Sequence, residues 1–182
     1  MRTIKIVADS SCDLFGLKHT AFACAPMKVI TAEREFVDDT SLNVDAMVQH
    51  FDHYKGKSKS SCPNTGDWLA AFGDADDIFC VTITSGLSGS YNSACSAKRI
   101  YEAENAGKRV FVIDTLSAGP EITLVIEKLE ECIDLSAAVQ QRCKAQALSD
   151  IQRTDALGGV DFMALRNIFI PLWSEKNAFI PT

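Results

Sequence analysis

A chain of 182 residues, 47% hydrophobic and 23% charged, has the length for one full domain plus an appendage and is short for two independent cores. Its net charge of −6, from 18 basic and 24 acidic residues spread along the sequence, leaves no basic stripe to neutralise phosphates and argues against nucleic acid as a partner. No run reaches the ~18 uninterrupted apolar residues of a membrane span, and "MRTIKIVADSS" lacks the apolar core and cleavage site of a signal peptide, so a cytoplasmic protein without an integral membrane segment is expected.

The first predicted element is "IKIVAD" (4–9), an apolar, β-branched run ending in the polar turn "DSSCD" (9–13). The second run, "AFACAPMKVI" (21–30), contains Pro26, which predicts an edge position or a bulge because proline cannot donate to a ladder. "LNVDAMVQHFDHY" places Val44, Met47, Val48 and Phe51 at i, i+3, i+4 and i+7, which predicts an amphipathic helix capped by Ser41. A polar loop, "SKSSCPNTGD" (58–67), leads into a short helix carrying Trp68, Leu69 and Phe72. "DIFCVTIT" (77–84) and "RVFVIDT" (109–115) read as strands, and the helix between them, Ser90 to Ala106, puts Tyr91, Ala94, Cys95 and Tyr101 on one face. "EITLVIEKLEECI" and "LSAAVQQRCKAQAL" are two further helices, broken near Asp134–Ser136.

The strand runs are near-continuous rather than alternating, as in strands covered on both faces. Their alternation with helices predicts an α/β fold, a mainly parallel sheet flanked by helices, over residues 1–150. Residues 151–182 read as a short tail whose apolar cluster, Ile168 to Trp173, packs on this domain or on a second copy as a homodimer contact. The seven cysteines are odd in number and irregular in spacing, with no Cys-x-x-Cys, so they read as small hydrophobes rather than as metal or redox motifs.

Ligands of open α/β sheets sit outside the carboxyl ends of the strands. The segments there are "DSSCD" (9–13), "TSGLSGS" (84–90) and "DTLSAG" (114–119), with "SKSSCPNTGD" as a fourth polar loop. Hydroxyls and backbone N–H groups at helix starts bind anions, and Gly86 and Gly89 allow close backbone approach. "SGLSGS" is neither a Walker loop nor a dinucleotide fingerprint nor a nucleophile elbow, and nothing cationic lies nearby in sequence. Of the histidines, His19 stands alone, and His50 and His53 share a helix face that reads as a solvated helix end rather than a metal site. Asp9, Asp13 and Asp114 read as pocket-shaping hydrogen-bond acceptors. The residues thus point to a hydroxyl-lined site for a weakly charged anion such as a carboxylate, built for recognition more than catalysis, with no cofactor and no metal.

In this order, "ADSSCDL" (8–14), "APMKVI" (25–30), "FVDD" (36–39), "SSCP" (60–63), "ITSGLSGSYNSA" (83–94) and "VIDT" (112–115) resemble the DegV family over about residues 4–133. The resemblance implies a bacterial fatty-acid-binding protein, the lipid-binding subunit of a fatty acid kinase and a carrier rather than the catalyst. It implies that Ser60 or Ser61 and Ser85 hold the carboxylate, in a site that includes Ser10, Gly86, Ser88 and Gly89, while the acyl chain enters an apolar tunnel. The bound acid would be presented to a kinase catalytic subunit that makes an acyl phosphate. Cys62 stands where the family usually has glutamine, and Ser60 and Ser90 stand where threonine is common. The family's second domain is expected to be largely missing, with "LGGVD" (157–161) carrying Val160 where its motif has arginine. Two alternatives stay open: a small ester or phosphate hydrolase using Asp9 or Asp114 as base, and a truncated remnant that binds nothing.

Overall fold

The structure, a computed structural model, describes residues 2–134. The "LSAAVQQRCKAQAL" helix, the boundary at residue 150, the "LGGVD" segment and the Ile168–Trp173 contact lie outside the described residues.

Four parallel strands form the main sheet in the order β2-β1-β6-β7: β1 (Ile4–Asp9), β2 (Ala21–Ala25), β6 (Asp77–Thr82) and β7 (Arg109–Asp114). Successive side chains on a strand point to opposite faces, and both faces here are covered. Ile6, Ala8, Phe79, Val81 and Ile113 pack against Ile122, Val125, Ile126 and Leu129 of α4 (Pro120–Asp134). On the other face Val7, Ile78, Cys80 and Val110 meet Trp68, Ala71 and Phe72 of α2 (Thr65–Phe72) and Ala94, Ala97 and Tyr101 of α3 (Ser90–Glu104). This double cover is why "DIFCVT" shows no polar alternation: all its residues are buried. Among the described residues no helix is long and apolar enough to cross a membrane.

The amino ends of the strands are fastened by charge. Asp77, 1% exposed, receives Arg2 Nε at 2.7 Å and Arg109 Nε at 2.8 Å. Burial pushes its pKa up, but hydrogen bonds from the two guanidinium groups outweigh burial and hold the carboxyl below the usual range. The carboxyl ends carry the hydroxyl-rich loops instead, held by Asp9 and Asp114.

The run "AFACAPMKVI" departs from its reading as one strand. Pro26 does lie beside an edge strand, β2, but it also marks where the chain leaves the main sheet. Residues 28–30 become β3 (Lys28–Ile30), the centre of a separate antiparallel sheet ordered β4-β3-β5, with β4 (Glu35–Val37) and β5 (Lys59–Ser61). Helix α1 (Val44–His53) connects β4 to β5, and its cap is Asn43, whose Oδ1 accepts the Ala46 N–H at 2.8 Å, rather than Ser41. Ser41 is already committed, its N–H and hydroxyl both bonded to Asp39 Oδ1.

Candidate ligand-binding site

Asp9 ends β1 with no solvent exposure. Its Oδ2 accepts the Ile83 N–H at 2.9 Å and the Ser90 hydroxyl at 2.6 Å, and its Oδ1 accepts the Ser11 hydroxyl. One carboxylate thereby fixes both ends of the 83–90 loop against the first strand. The 3₁₀ turn that follows, Ser10–Cys12, places Ser10 Oγ 3.0 Å from the Met27 N–H, so Ser10 anchors the exit toward the small sheet. From β2, the Cys24 thiol hydrogen-bonds Cys12 of this turn and lowers its pKa, while the same bond and burial push Cys24 up.

The 84–90 loop uses its own backbone donors. Ser85 N–H bonds Asp114 Oδ1 at 3.1 Å, Gly86 N–H bonds Thr84 Oγ1 at 3.2 Å, and Leu87 and Ser88 N–H both bond Thr84 O at 3.1 Å. Ser90 N–H bonds Ser88 Oγ at 3.2 Å. The expectation that backbone N–H groups of this loop await an anion is therefore corrected: those of residues 85–88 and 90 are occupied. What the loop offers outward is the Ser85 hydroxyl, exposed and without a hydrogen bond to any described residue, beside Leu87 at 72% exposure.

The other half comes from β5. Register pairs Ser61 with Lys28 and Ser60 with Val29, while Val29 also pairs with Phe36. Ser60 and Ser61 consequently point to opposite faces, so a ligand on one face meets one hydroxyl and not both. Ser60 shares the face of Phe36, which packs against the rings of His50 at 5.3 Å and Phe51 at 5.9 Å. Ser61 shares the face of Lys28, whose ammonium lies 3.3 Å from Glu35 Oε1. Just past the strand, Cys62 reaches the 84–90 loop, and a Cβ placed on Gly89 would lie 3.2 Å from its Sγ.

The structure therefore sets Cys62 against Gly89, and ties Ser10 through Met27 to the start of the strand whose Lys28 pairs with Ser61. Sequence reading missed Lys28, because nothing in "PMKVI" announces that strand pairing sets it opposite Ser61. Asp114, read from the sequence as a hydrogen-bonding, pocket-shaping residue, does organise the loop, accepting the N–H groups of Ser85 and Leu116. Tyr91, one residue beyond the loop, has its phenol pushed up by burial and by the neighbouring Cys95 thiol, so it stays neutral. His50 and His53 turn to different partners, Thr31 Oγ1 at 3.3 Å and Gln49 O at 2.8 Å. Among the described residues no cluster of three metal-ligating side chains occurs.

Comparison with known proteins bears on what this edge holds. The family model described as "Uncharacterised protein, DegV family" matches residues 3–155. A DegV domain-containing protein of Streptococcus pneumoniae is 43% identical over 147 residues, which is 79% of this chain and 52% of the relative. The chain thus spans about half the length of the curated relatives it matches. Among solved structures, the Fatty Acid Kinase (Fak) B3 protein of Streptococcus pneumoniae, loaded with linoleic acid, is similar with a TM-score of 0.70 and 43% identity. That match covers 80% of this chain and 54% of the other. A DegV family protein from Eubacterium eligens loaded with heptadecanoic acid matches with a TM-score of 0.70, 37% identity and the same coverage.

Proposed function

This chain belongs to the DegV family, and from that premise we propose that it binds a long-chain fatty acid through its carboxylate and presents it to a partner kinase for acyl-phosphate formation. The observation that carries the reading is the approach of Cys62, just past β5, to Gly89 of the 84–90 loop; in this reading Ser85 and one of Ser60 and Ser61 supply the hydroxyl donors. Hydroxyls suit a single carboxylate, since each donates one bond and neither adds charge. Fatty-acid-loaded relatives at 43% and 37% identity support this choice of anion.

A carrier role fits the state of the carboxylates. Asp9 is buried under its donors, and Asp114 Oδ1 accepts the N–H groups of Ser85 and Leu116. Both hold backbone in place, and a general base must instead reach the proton it removes. Native mass spectrometry of the purified protein is the direct test: retained acyl chains are expected, and a lipid-free spectrum after loading with oleic acid refutes the reading. Ser85→Ala removes a hydrogen bond to a charged group, so retention should fall about tenfold or more.

A further inference from the structure

Residues 28–61 are joined to the main sheet differently from every other described element. Among the described residues, the hydrogen bonds, ion pairs and ring contacts of residues 28–61 stay within that stretch or at its immediate ends, where Asp38 N–H bonds Met27 O at 2.9 Å and Ser61 bonds Cys62 O: within it lie Thr31 with Arg34 and His50, Ala32 with Tyr54, Lys28 with Glu35, and Phe36 with His50 and Phe51. Helix α1 buries no residue, and Val44 and Val48 are more than half exposed. The stretch meets the body at its two ends. At one, Pro26 precedes Met27, whose N–H is bonded to Ser10. At the other, Cys62 rests on Gly89 ahead of the buried Pro63. Both ends lie together, because Lys28 and Ser61 are cross-strand partners.

We propose that residues 28–61 form a lid, hinged at Pro26 and Pro63 and latched by the Cys62 thiol on Gly89, which carries the β5 hydroxyl to the 84–90 loop and away from it. The proposal rests on the carboxylate reading above and adds how ligand enters and leaves. Prolines fix φ and lack an N–H, so the chain can turn at both points without breaking a ladder bond. A unit whose bonds are internal can swing as a body at small cost, whereas β1 and β6 cannot move without opening the core. Gly89 is the seat of the latch: with φ −74° its backbone accepts any residue, yet a side chain there would press on the Cys62 sulfur. The closed lid aligns two hydroxyl donors from separate elements on one carboxylate; the open lid leaves Ser85 alone.

The 3.2 Å approach allows the latch to be made covalent. In the full chain carrying Gly89→Cys, glutathione disulfide takes two electrons and two protons from the thiols at positions 62 and 89, forming one S–S bond and two glutathione molecules. Peptide mapping identifies the bridge, and release of bound oleic acid to acceptor vesicles is timed before and after oxidation. Oxidation should slow release by on the order of tenfold or more, with recovery on reduction. Equal release rates in the two states overturn the lid, and so does failure of the bridge to form. Should the wild-type protein hold no oleic acid, the carboxylate reading fails by itself and hydrogen exchange judges the lid. Amides of β3, β4 and β5 should exchange faster than those of β1 and β6 and slow when the bridge forms; equal protection refutes the hinge.

Discussion

Asp9 illustrates how a single buried side chain can hold a loop against a strand, accepting the Ile83 N–H and the Ser11 and Ser90 hydroxyls. Asp9→Asn keeps the size but replaces one acceptor oxygen with an amide donor facing the Ser11 hydroxyl or the Ile83 and Ser90 donors. The expected cost is about 2–4 kcal/mol in urea unfolding, with lipid retention falling alongside because the 83–90 loop loses its tether. Ser90→Ala removes one of those donors and should cost less, about 1–2 kcal/mol. The sequence showed Asp9 as a polar residue at a strand end, but not its partners, since Ile83 and Ser90 lie more than seventy positions away. Lys28 escaped notice for the same reason: its place opposite Ser61 is a matter of pairing, which composition does not encode.

Among the elements, β1, β6 and β7 and helices α2 to α4 were legible because burial writes a strong pattern. Strands sandwiched between helices become unbroken apolar runs, and α2 adds a capping box in which Asn64 Oδ1 accepts the Gly66 and Asp67 N–H groups while Asp67 accepts the Asn64 N–H. Asn64→Ala should therefore destabilise the protein by about 1 kcal/mol, read as a lowered melting midpoint. The small sheet was not legible. Its strands are three residues long, and "KSS" carries no apolar residue at all, so no period can emerge. Ser41 and Asn43 both suit a cap, and only the committed bonds of Ser41 to Asp39 decide between them.

At the scale of the whole molecule, a buried ion-pair cluster fastens the amino end of the sheet, while at the carboxyl end Asp9 and Asp114 hold the hydroxyl-bearing loops by hydrogen bonds. The Arg2–Asp77–Arg109 cluster makes the amino end sensitive to acid. The folded-state pKa of Asp77 lies below its unfolded value of roughly 3.9. Its contribution is thus complete above that unfolded value and is lost as pH falls through the folded one. Asp39, bonded by the Ser41 hydroxyl, Asp76, bonded by the Thr3 N–H, and Glu130, bonded by the His19 N–H, shift in the same direction. Urea midpoints should fall as pH drops from about 5 to about 3, and Asp77→Asn should flatten that slope while costing about 3 kcal/mol near neutrality.

The pairing of Lys28 with Ser61 has a consequence for how the polypeptide can be edited. Two cross-strand partners stand about 5 Å apart, a gap that a two-residue turn closes. Replacing residues 29–60 with Asn-Gly should leave a shorter protein whose parallel sheet still melts cooperatively, because the core residues of both its faces lie outside the excised stretch. The lid would then be a removable cassette, and exchanging cassettes between relatives would be a way to alter ligand entry while the scaffold beneath stays the same.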